Sequence, residues 1–342
     1  ECSPFPEGAP YGGAMTIGQV AELWRYPVKS LGGARIEQAD VSARGVLGDR
    51  LWAVRDVQKG VTASARQLPV LLTATASYPG AVPPDAGPGN APEVEITFPD
   101  GTVISSSDDA VHAKLSELAG RELRLTALPP AEDTSLHKLT REERSETMSG
   151  SWLRSAFGMS ADEKLPDLSM VRVTDMVNFT RYSTPPGMFV DLAPVHVLTK
   201  TSLATIGAEV GSDLDVRRFR PNMLLALDSP EDGLPESHWT GAQLVLGDIV
   251  LNVAMPTIRC VIPSRAQPGL EVDRRITKAV ATRAQRCLGV YCWIDSGGRV
   301  RVGDDVGLRP VSAGRKVLTN AARRTKRFTF GLFNEAMDRL SR

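Results

Sequence analysis

Cys260 lies in a short apolar stretch of the chain, directly after Arg259. A thiol beside a fixed positive charge is a setting in which the thiolate is stabilised and can act as a nucleophile or as a soft metal ligand. A single cysteine in an apolar run is more often a small, inert core residue. Cys260 alone therefore leaves both interpretations open, and the rest of the sequence has to decide between them.

Several other polar residues interrupt apolar runs, and most of them are cationic. They are Lys29 with Ser30, Arg50, Arg66, and Arg220 with Asn222. Guanidinium forks and backbone N–H groups match the geometry of phosphate, so such a set favours binding of a phosphorylated, polar small molecule. Each residue taken singly is more simply interpreted as a surface charge. The set, together with one thiol, indicates a site.

Common catalytic signatures are absent from the sequence. It contains no glycine-rich phosphate loop with Lys-Ser/Thr, no nucleophile-elbow serine and no helix with paired metal-binding histidines. The histidines are scattered along the chain and form no ligand pair. No standard catalytic motif therefore accounts for the cationic residues.

Composition sets broad limits on the class of protein. The 342 residues are enough for two domains, and 42% hydrophobic and 23% charged residues are ordinary for a globular protein. The formal net charge is zero, so no global field favours nucleic acid as a partner. The cysteines lack the spacing of a zinc or disulfide framework, with Cys287 and Cys292 expected in different elements. Without a signal peptide or a membrane-spanning apolar stretch, we expect a reducing, cytoplasmic location.

Short strands separated by glycine-containing turns dominate the predicted secondary structure. Alternation of apolar and polar residues predicts a strand over residues 17–28, and residues 291–294 are predicted to pair with residues 299–302. The clearest helix is predicted over residues 273–288, begun by Asp273 and ended by Gly289. Many short strands with few helices predict either a β-barrel or a β-rich α+β fold.

Five short runs follow one another along the chain: WRYPVKSL at 24–31, GVLGDRLW at 45–52, TASARQ at 62–67, FRPN at 219–222 and RC at 259–260. In this order they resemble the MOSC proteins, relatives of the C-terminal domain of molybdenum cofactor sulfurase. That family includes the mitochondrial amidoxime-reducing component and bacterial counterparts. The resemblance extends over roughly residues 16–310, nearly the whole globular part.

The resemblance implies a MOSC β-barrel domain joined to an N-terminal β-rich domain of MOSC type, with molybdopterin held between them. We accordingly expect five segments along the chain. These are an N-terminal extension (1–15), the N-terminal β-rich domain (16–130), an inter-domain region (131–170), the MOSC domain (171–312) and a basic C-terminal extension (313–342).

The resemblance also implies roles for individual residues. Cys260 matches the cysteine that ligates molybdenum, and a thiolate suits a high-valent metal that already carries dithiolene sulfurs. Arg259 is expected to stabilise the thiolate and to meet the negative charge of the cofactor. The other expected cofactor contacts are Lys29, Ser30, Arg50, Arg66, Arg220 and Asn222.

The chain differs from the amidoxime-reducing members at one place. Where they carry a Thr-Ser pair, this chain has Asp191, followed by Leu192 and Ala193. We expect Asp191 to serve the cofactor or to supply protons during catalysis, a task that an ordered water could also perform. No cysteine-rich segment of the iron–sulfur kind is present, so neither an iron–sulfur cluster nor haem is expected and electrons would come from separate proteins.

Three functions remain open at this point. The first is a molybdenum-dependent oxidoreductase that reduces N-hydroxylated or N-oxide small molecules, with Cys260 and Asp191 as catalytic residues. The second is a sulfur carrier or C–S-bond enzyme in which Cys260 holds a persulfide or acts as a nucleophile. The third is a non-catalytic carrier of the molybdenum cofactor.

The C-terminal segment 315–342 has a charge of its own. It contains eight Lys and Arg residues and two acidic residues, a net charge of +6, so the rest of the neutral chain carries −6. A basic segment with aromatic and apolar residues either packs on its own acidic body or makes a weak contact with an anionic membrane surface. We expect packing first and retain the membrane contact as the alternative.

Overall fold

The computed structural model describes residues 13–147, 150–159, 178, 180–229 and 233–310. In this part of the chain β-strands outnumber helices, as the alternating apolar residues predict. In chain order the strands are β1 (Met15–Arg25), β2 (Ala34–Ile36), β3 (Gln38–Ser42), β4 (Gly45–Val46), β5 (Trp52–Asp56), β6 (Val61–Thr62), β7 (Thr75–Ser77), β8 (Glu95–Thr97), β9 (Val103–Ser105), β10 (Leu123–Ala127), β11 (Val195–Thr199), β12 (Met223–Leu227), β13 (Gln243–Leu246), β14 (Ile249–Ile258), β15 (Cys287–Ser296), β16 (Gly298–Arg301) and β17 (Asp305–Arg309).

The α-helices have recognisable start and stop residues. In the described ranges they are α1 (Ala110–Ala119), α2 (Arg141–Thr147), α3 (Gly150–Phe157), α4 (Lys200–Val210) and α5 (Arg274–Ala284). The Thr199 side chain accepts a hydrogen bond at the start of α4, and Gly211 in the left-handed conformation ends it.

Seven strands close into a barrel in the order β12, β11, β15, β14, β13, β17, β1. Closure occurs because β1 pairs with β17 along one edge and with β12 along the other. Neighbouring strands are antiparallel except for β11 and β12, which are parallel. One hydrophobic cluster contains buried side chains from all of these strands, among them Val20, Met223 and Leu251. Ring closure leaves the barrel without an open sheet edge.

β2 pairs with the last three residues of β1, and three smaller sheets complete the fold, in the strand orders β10-β5-β6, β7-β8-β9 and β16-β3-β4. The first two pack with α1 around a second hydrophobic cluster that includes Val54, Ile96 and Leu115. The third packs against the barrel, since Val41 and Val300 belong to the barrel's cluster. The predicted β-rich α+β architecture with a barrel is confirmed.

The N-terminal part of the chain contributes to the barrel as well as to its own sheets. β1 completes the ring formed by strands from the C-terminal half, and β3 pairs with β16. The expected domain limits at residues 130 and 170 stay a prediction. Residues 1–12, the parts of the expected inter-domain region at 148–149 and 160–170, and the basic segment 315–342 lie outside the described residues.

Three local predictions are wrong. The helix expected to end at Gly289 ends at Ala284, because Gln285 takes a left-handed φ of 47° and the chain then enters β15. Cys287 and Cys292 consequently lie on the same strand. The pairing predicted between residues 291–294 and 299–302 does not form, since β16 pairs with β3 instead. The turn residues between β15 and β16 gave no information about a partner as distant in the sequence as β3.

Closure of the barrel by β1 can be tested by a cavity-forming substitution. Val20 on β1 is 1% exposed, so Val20→Ala removes two buried carbon atoms and should lower the free energy of unfolding by about 2 kcal/mol. The matched control is Val103→Ala on β9, where the side chain is 54% exposed and the change should stay within about 0.5 kcal/mol. Urea unfolding followed by circular dichroism measures both, and equal losses would contradict the assignment of β1 to the barrel core.

Candidate functional site

Interactions among charged side chains connect most of the predicted site residues. Asp191 forms an ion pair with Lys29, and its Oδ1 lies 3.9 Å from the Arg66 Nη2. Arg50, Arg220 and Arg259 are also close enough to Asp191 for its charge to raise their pKa values. Cys260 is similarly close to Arg66 and Arg259. We call this group the cationic cluster: Lys29, Arg50, Arg66, Asp191, Arg220, Arg259 and Cys260.

Tyr26, just after β1, is the aromatic centre of the cluster. Its side chain is buried, and its hydroxyl donates a hydrogen bond of 3.2 Å to the Pro221 carbonyl oxygen. The guanidinium carbons of Arg220 and Arg50 lie 4.3 and 5.3 Å from the centroid of its ring. A cation over an aromatic face is attracted by the ring quadrupole. Tyr26 therefore holds together two predicted cofactor-binding residues, one from each half of the chain.

The backbone is in the left-handed region at three predicted cofactor-binding positions. The angle φ is 73° at Ser30, 52° at Arg50 and 53° at Arg220, although residues with a Cβ rarely adopt such values. Each costs roughly 1–2 kcal/mol, and residues held in this way concentrate at ligand sites. A further residue of this kind, Arg286 with a φ of 66°, accepts the backbone N–H of Arg259 over 2.7 Å. Strain thus coincides with the predicted site.

The Lys29–Asp191 pair contains one buried and one partly exposed partner. The Lys29 side chain is 7% exposed and the Asp191 side chain 48%. Burial lowers the pKa of Lys29, and the nearby carboxylate opposes this effect. Burial would raise the pKa of Asp191, but the charges of Lys29 and Arg66 outweigh it and hold that pKa well below its usual range. Asp191 is therefore an anion at neutral pH and is poorly suited to donate protons.

Arg220 and Arg259 keep buried N–H groups that have no acceptor. Arg220 Nη1 donates to the Leu31 carbonyl oxygen over 2.5 Å, and Arg259 Nη2 donates to the Phe219 carbonyl oxygen over 2.7 Å. Among the described residues, nothing accepts from Arg220 Nη2 or Arg259 Nε, although both atoms are buried. Burial lowers the pKa of Arg220 to about 10 and also lowers that of Arg259. Buried donors without partners are costly, so the cluster is arranged for an anionic ligand.

Cys260 follows the end of β14 and differs from the core cysteine on β15. Its thiol is free and half-buried, whereas Cys292 is fully buried and burial raises the pKa of that thiol. Within the described ranges, no group of three or more His, Cys, Asp or Glu side chains is placed to hold a metal ion. A metal here would have Cys260 as its protein ligand and would need further donors from a cofactor.

Ser30 and Asn222 use their side chains inside the protein. The Ser30 hydroxyl oxygen accepts a hydrogen bond of 3.0 Å from the Ala65 N–H. Asn222 is fully buried, its Oδ1 accepts from the His196 N–H over 3.2 Å, and its Nδ2 donates to the Trp24 carbonyl oxygen over 3.4 Å. Both side chains therefore position the segments that carry the cluster. The side-chain oxygen and nitrogen of Asn222 both bond to backbone groups and not to residues of the cluster.

Two residues of the site were not among those predicted from the sequence. Asp49 forms an ion pair with its neighbour Arg50, and its Oδ1 accepts the Tyr26 N–H over 2.8 Å. Tyr291 on β15 lies within electrostatic range of both Asp191 and Cys260; burial first, and then the Asp191 charge, raise its pKa to about 12. Asp49 could have been recognised in the sequence, because it directly precedes Arg50. No residue close to Tyr291 in the sequence identifies it as part of the site.

The loop that leads to Asp191 is held by a buried histidine. The Gly187 N–H donates to His137 Nε2 over 3.3 Å, and His137 Nδ1 lies 2.7 Å from the Thr184 hydroxyl. Since Nε2 accepts, Nδ1 carries the proton of a neutral ring and donates to Thr184. Burial lowers the pKa of His137 to about 4, which keeps the ring neutral.

Two family models match the chain, and each covers residues that contribute to the cationic cluster. Residues 17–129 match the MOSC N-terminal beta barrel domain, and residues 185–307 match the MOSC domain. Lys29, Arg50 and Arg66 fall in the first range. Asp191 and Cys260 fall in the second, so the cluster is assembled from both.

Characterised relatives are similar to the chain along most of its length. Mitochondrial amidoxime-reducing component 1 from Homo sapiens is 24% identical, over 85% of this chain and 83% of the relative. Mitochondrial amidoxime reducing component 2 from Homo sapiens is 23% identical over the same shares. Among solved structures, the YUAD protein from Bacillus subtilis aligns over 88% of this chain and 99% of its own, with 11% identity and a TM-score of 0.39. In the described ranges, no helix is long and apolar enough to cross a membrane.

The buried His137 predicts a loss of stability in mild acid. The unfolded chain binds a proton at this residue below a pH of about 6.5 and the folded protein only below about 4, so stability falls as the pH is lowered through this window. The full shift corresponds to about 3 kcal/mol. Urea unfolding at pH 7, 5.5 and 4 should reveal this loss in the wild type and a smaller one in His137→Gln. Equal acid losses in the two proteins would contradict the assignment.

Proposed function

Since this chain belongs to the MOSC-domain proteins, with a MOSC N-terminal β-barrel domain ahead of a MOSC domain, we propose that it binds a molybdenum cofactor at the cationic cluster and acts as an oxidoreductase. The expected substrates are N-hydroxylated or N-oxide small molecules. The similarity to amidoxime-reducing components supports this substrate class.

The observation that carries the proposal is the pair of buried, unpartnered N–H groups on Arg220 and Arg259, next to one free thiol at Cys260. An anionic, phosphorylated cofactor with its own sulfur donors fits this set. The N–H groups would gain acceptors, the cations would gain counter-charge, and the thiolate would complete the coordination of a soft metal.

Each side chain has a distinct part in holding such a cofactor. Lys29, Arg50 and Arg66 would hold the phosphate, while Arg220 and Arg259 would donate hydrogen bonds to the pterin. Cys260 would ligate the metal. Ser30 and Asn222, whose side chains are hydrogen-bonded to backbone groups, would fix the strained segments on which these cations lie.

When bound, molybdenum supplies the change of oxidation state that removes an oxygen atom from the substrate. The protein's own residues would hold the cofactor in position and determine the electrostatic potential around it. Asp191 is charged at neutral pH, so we assign the proton that the departing oxygen needs to an ordered water and give Asp191 an electrostatic role. Tyr291, half-buried and protonated because its pKa is raised, would help to exclude bulk water from the thiol side.

We expect the electrons to come from separate electron-transfer proteins, because the sequence contains no cysteine-rich segment of the iron–sulfur kind. The expected cytoplasmic location and the absence of a nucleic-acid partner stay predictions. Contact between the basic segment 315–342 and a membrane surface stays a prediction too.

Substitution of the thiol tests the function directly. Protein produced in a host that makes molybdopterin should contain about one molybdenum per chain, in keeping with a single protein ligand. The rate of amidoxime reduction by Cys260→Ser should fall about 100-fold or more. Removing a residue that only hydrogen-bonds to a metal ligand already lowers metal affinity or activity about 10- to 100-fold. Cys287→Ser, which changes a half-buried thiol on β15, is the matched control and should retain molybdenum and activity.

Elemental analysis and a fluorescent assay for the pterin measure loading independently of turnover. Wild-type protein that acquires neither metal nor pterin would refute the proposal. An added mass of about 32 Da on Cys260, one sulfur atom, with no metal would instead favour the sulfur-carrier function. A cofactor bound without turnover of any N-hydroxylated compound would favour the carrier.

A further inference from the structure

Asp191 occupies the place at the cationic cluster where an anionic ligand would be expected. Its carboxylate accepts a hydrogen bond from the buried Lys29 ammonium and lies 3.9 Å from Arg66. The Asp191 side chain is 48% exposed although its partner Lys29 is 7% exposed, so the carboxylate reaches the lysine from the open side of the cluster. The described residues thus supply their own anion to these two cations.

The backbone around Asp191 is fixed, and its side chain is the part that can move. Phe189 and Val190 before it and Ala193 after it are buried, with 1%, 4% and 4% exposure. These apolar side chains hold the segment in place. A change of rotamer at Asp191 would carry the carboxylate from Lys29 into solvent without displacing the chain, because half of its side-chain surface already faces solvent.

Two anions cannot share one ammonium group without repelling each other. Resting on the proposed function, we propose that Asp191 is an internal counter-anion that competes with the phosphate of the cofactor for Lys29 and Arg66 and is displaced when the phosphate binds. In the empty protein the carboxylate compensates a buried positive charge. In the loaded protein the phosphate takes over that task, and the cofactor is held less tightly than the cations alone would hold it.

The competition predicts that removing the carboxylate strengthens anion binding. Full-length, cofactor-free Asp191→Asn should bind inorganic phosphate about tenfold more tightly than the wild type, measured by isothermal titration calorimetry at fixed chloride concentration. Phosphate should also raise the melting temperature of Asp191→Asn more than that of the wild type, because the variant leaves the Lys29 ammonium without its partner.

The matched control is Asp40→Asn. Asp40 is paired with Arg299 between β3 and β16, and its side chain is 47% exposed, close to the value for Asp191. This variant should bind phosphate as the wild type does. In the double variant Lys29→Gln/Asp191→Asn the gain should disappear, since the ammonium group that phosphate pairs with is gone.

Unchanged or weaker phosphate binding by Asp191→Asn, or an equal gain in Asp40→Asn, would overturn the proposal. If Asp191→Asn does not fold alone, refolding in a series of phosphate concentrations replaces the titration: recovery with phosphate supports the competition and no recovery contradicts it. Phosphate binding is measured without metal or turnover, so its outcome is separate from the molybdenum content that tests the proposed function.

Discussion

The buried amide of Asn222 is the junction on which the site's architecture depends. Its backbone N–H donates to His196, its backbone oxygen accepts from Trp24, and its side chain repeats both connections. One residue thus links β1, the start of β11 and the chain just before β12. Because all of these bonds lie out of water, losing any of them would leave an unpaired polar group inside the protein. The junction lies at the end of the β1–β12 ladder that closes the barrel, two residues from Arg220, whose guanidinium lies over the Tyr26 ring.

The cationic cluster carries an excess of positive charge that is buried at Lys29 and half-buried at the arginines. The described part of the site brings Lys29 and four arginines together, with Asp49 and Asp191 as the neighbouring carboxylates. The Tyr26 ring and the carbonyl oxygens of Leu31 and Phe219 compensate part of the remainder. Such an arrangement is costly without a ligand and becomes favourable with an anion in place.

Local chemistry in the sequence, together with the family resemblance, was sufficient to select residues that the fold brings together in the cationic cluster, while their roles stay a prediction. It was also sufficient for the β-rich class, since alternation has a period that survives in any tertiary context. It could not identify Tyr291, which is an ordinary strand residue until Asp191 and Cys260 approach it from elsewhere. Nor could it show that Asn222 faces the backbone, or that β16 prefers β3 to its neighbour β15, because both depend on partners far along the chain.

The place of β1 in the barrel has a consequence for biosynthesis. β2 follows directly and pairs with only the last three residues of β1, whereas the partners that close the barrel, β12 and β17, leave the ribosome about 200 or more residues later, on the order of 10–40 s at typical translation rates. Until then most of this strand of eleven residues has unpaired edges and exposed apolar side chains. Closure of the barrel consequently depends on sequence-distant contacts, which favours slow folding that is completed late in synthesis and leaves the edges of β1 open to intermolecular pairing until then.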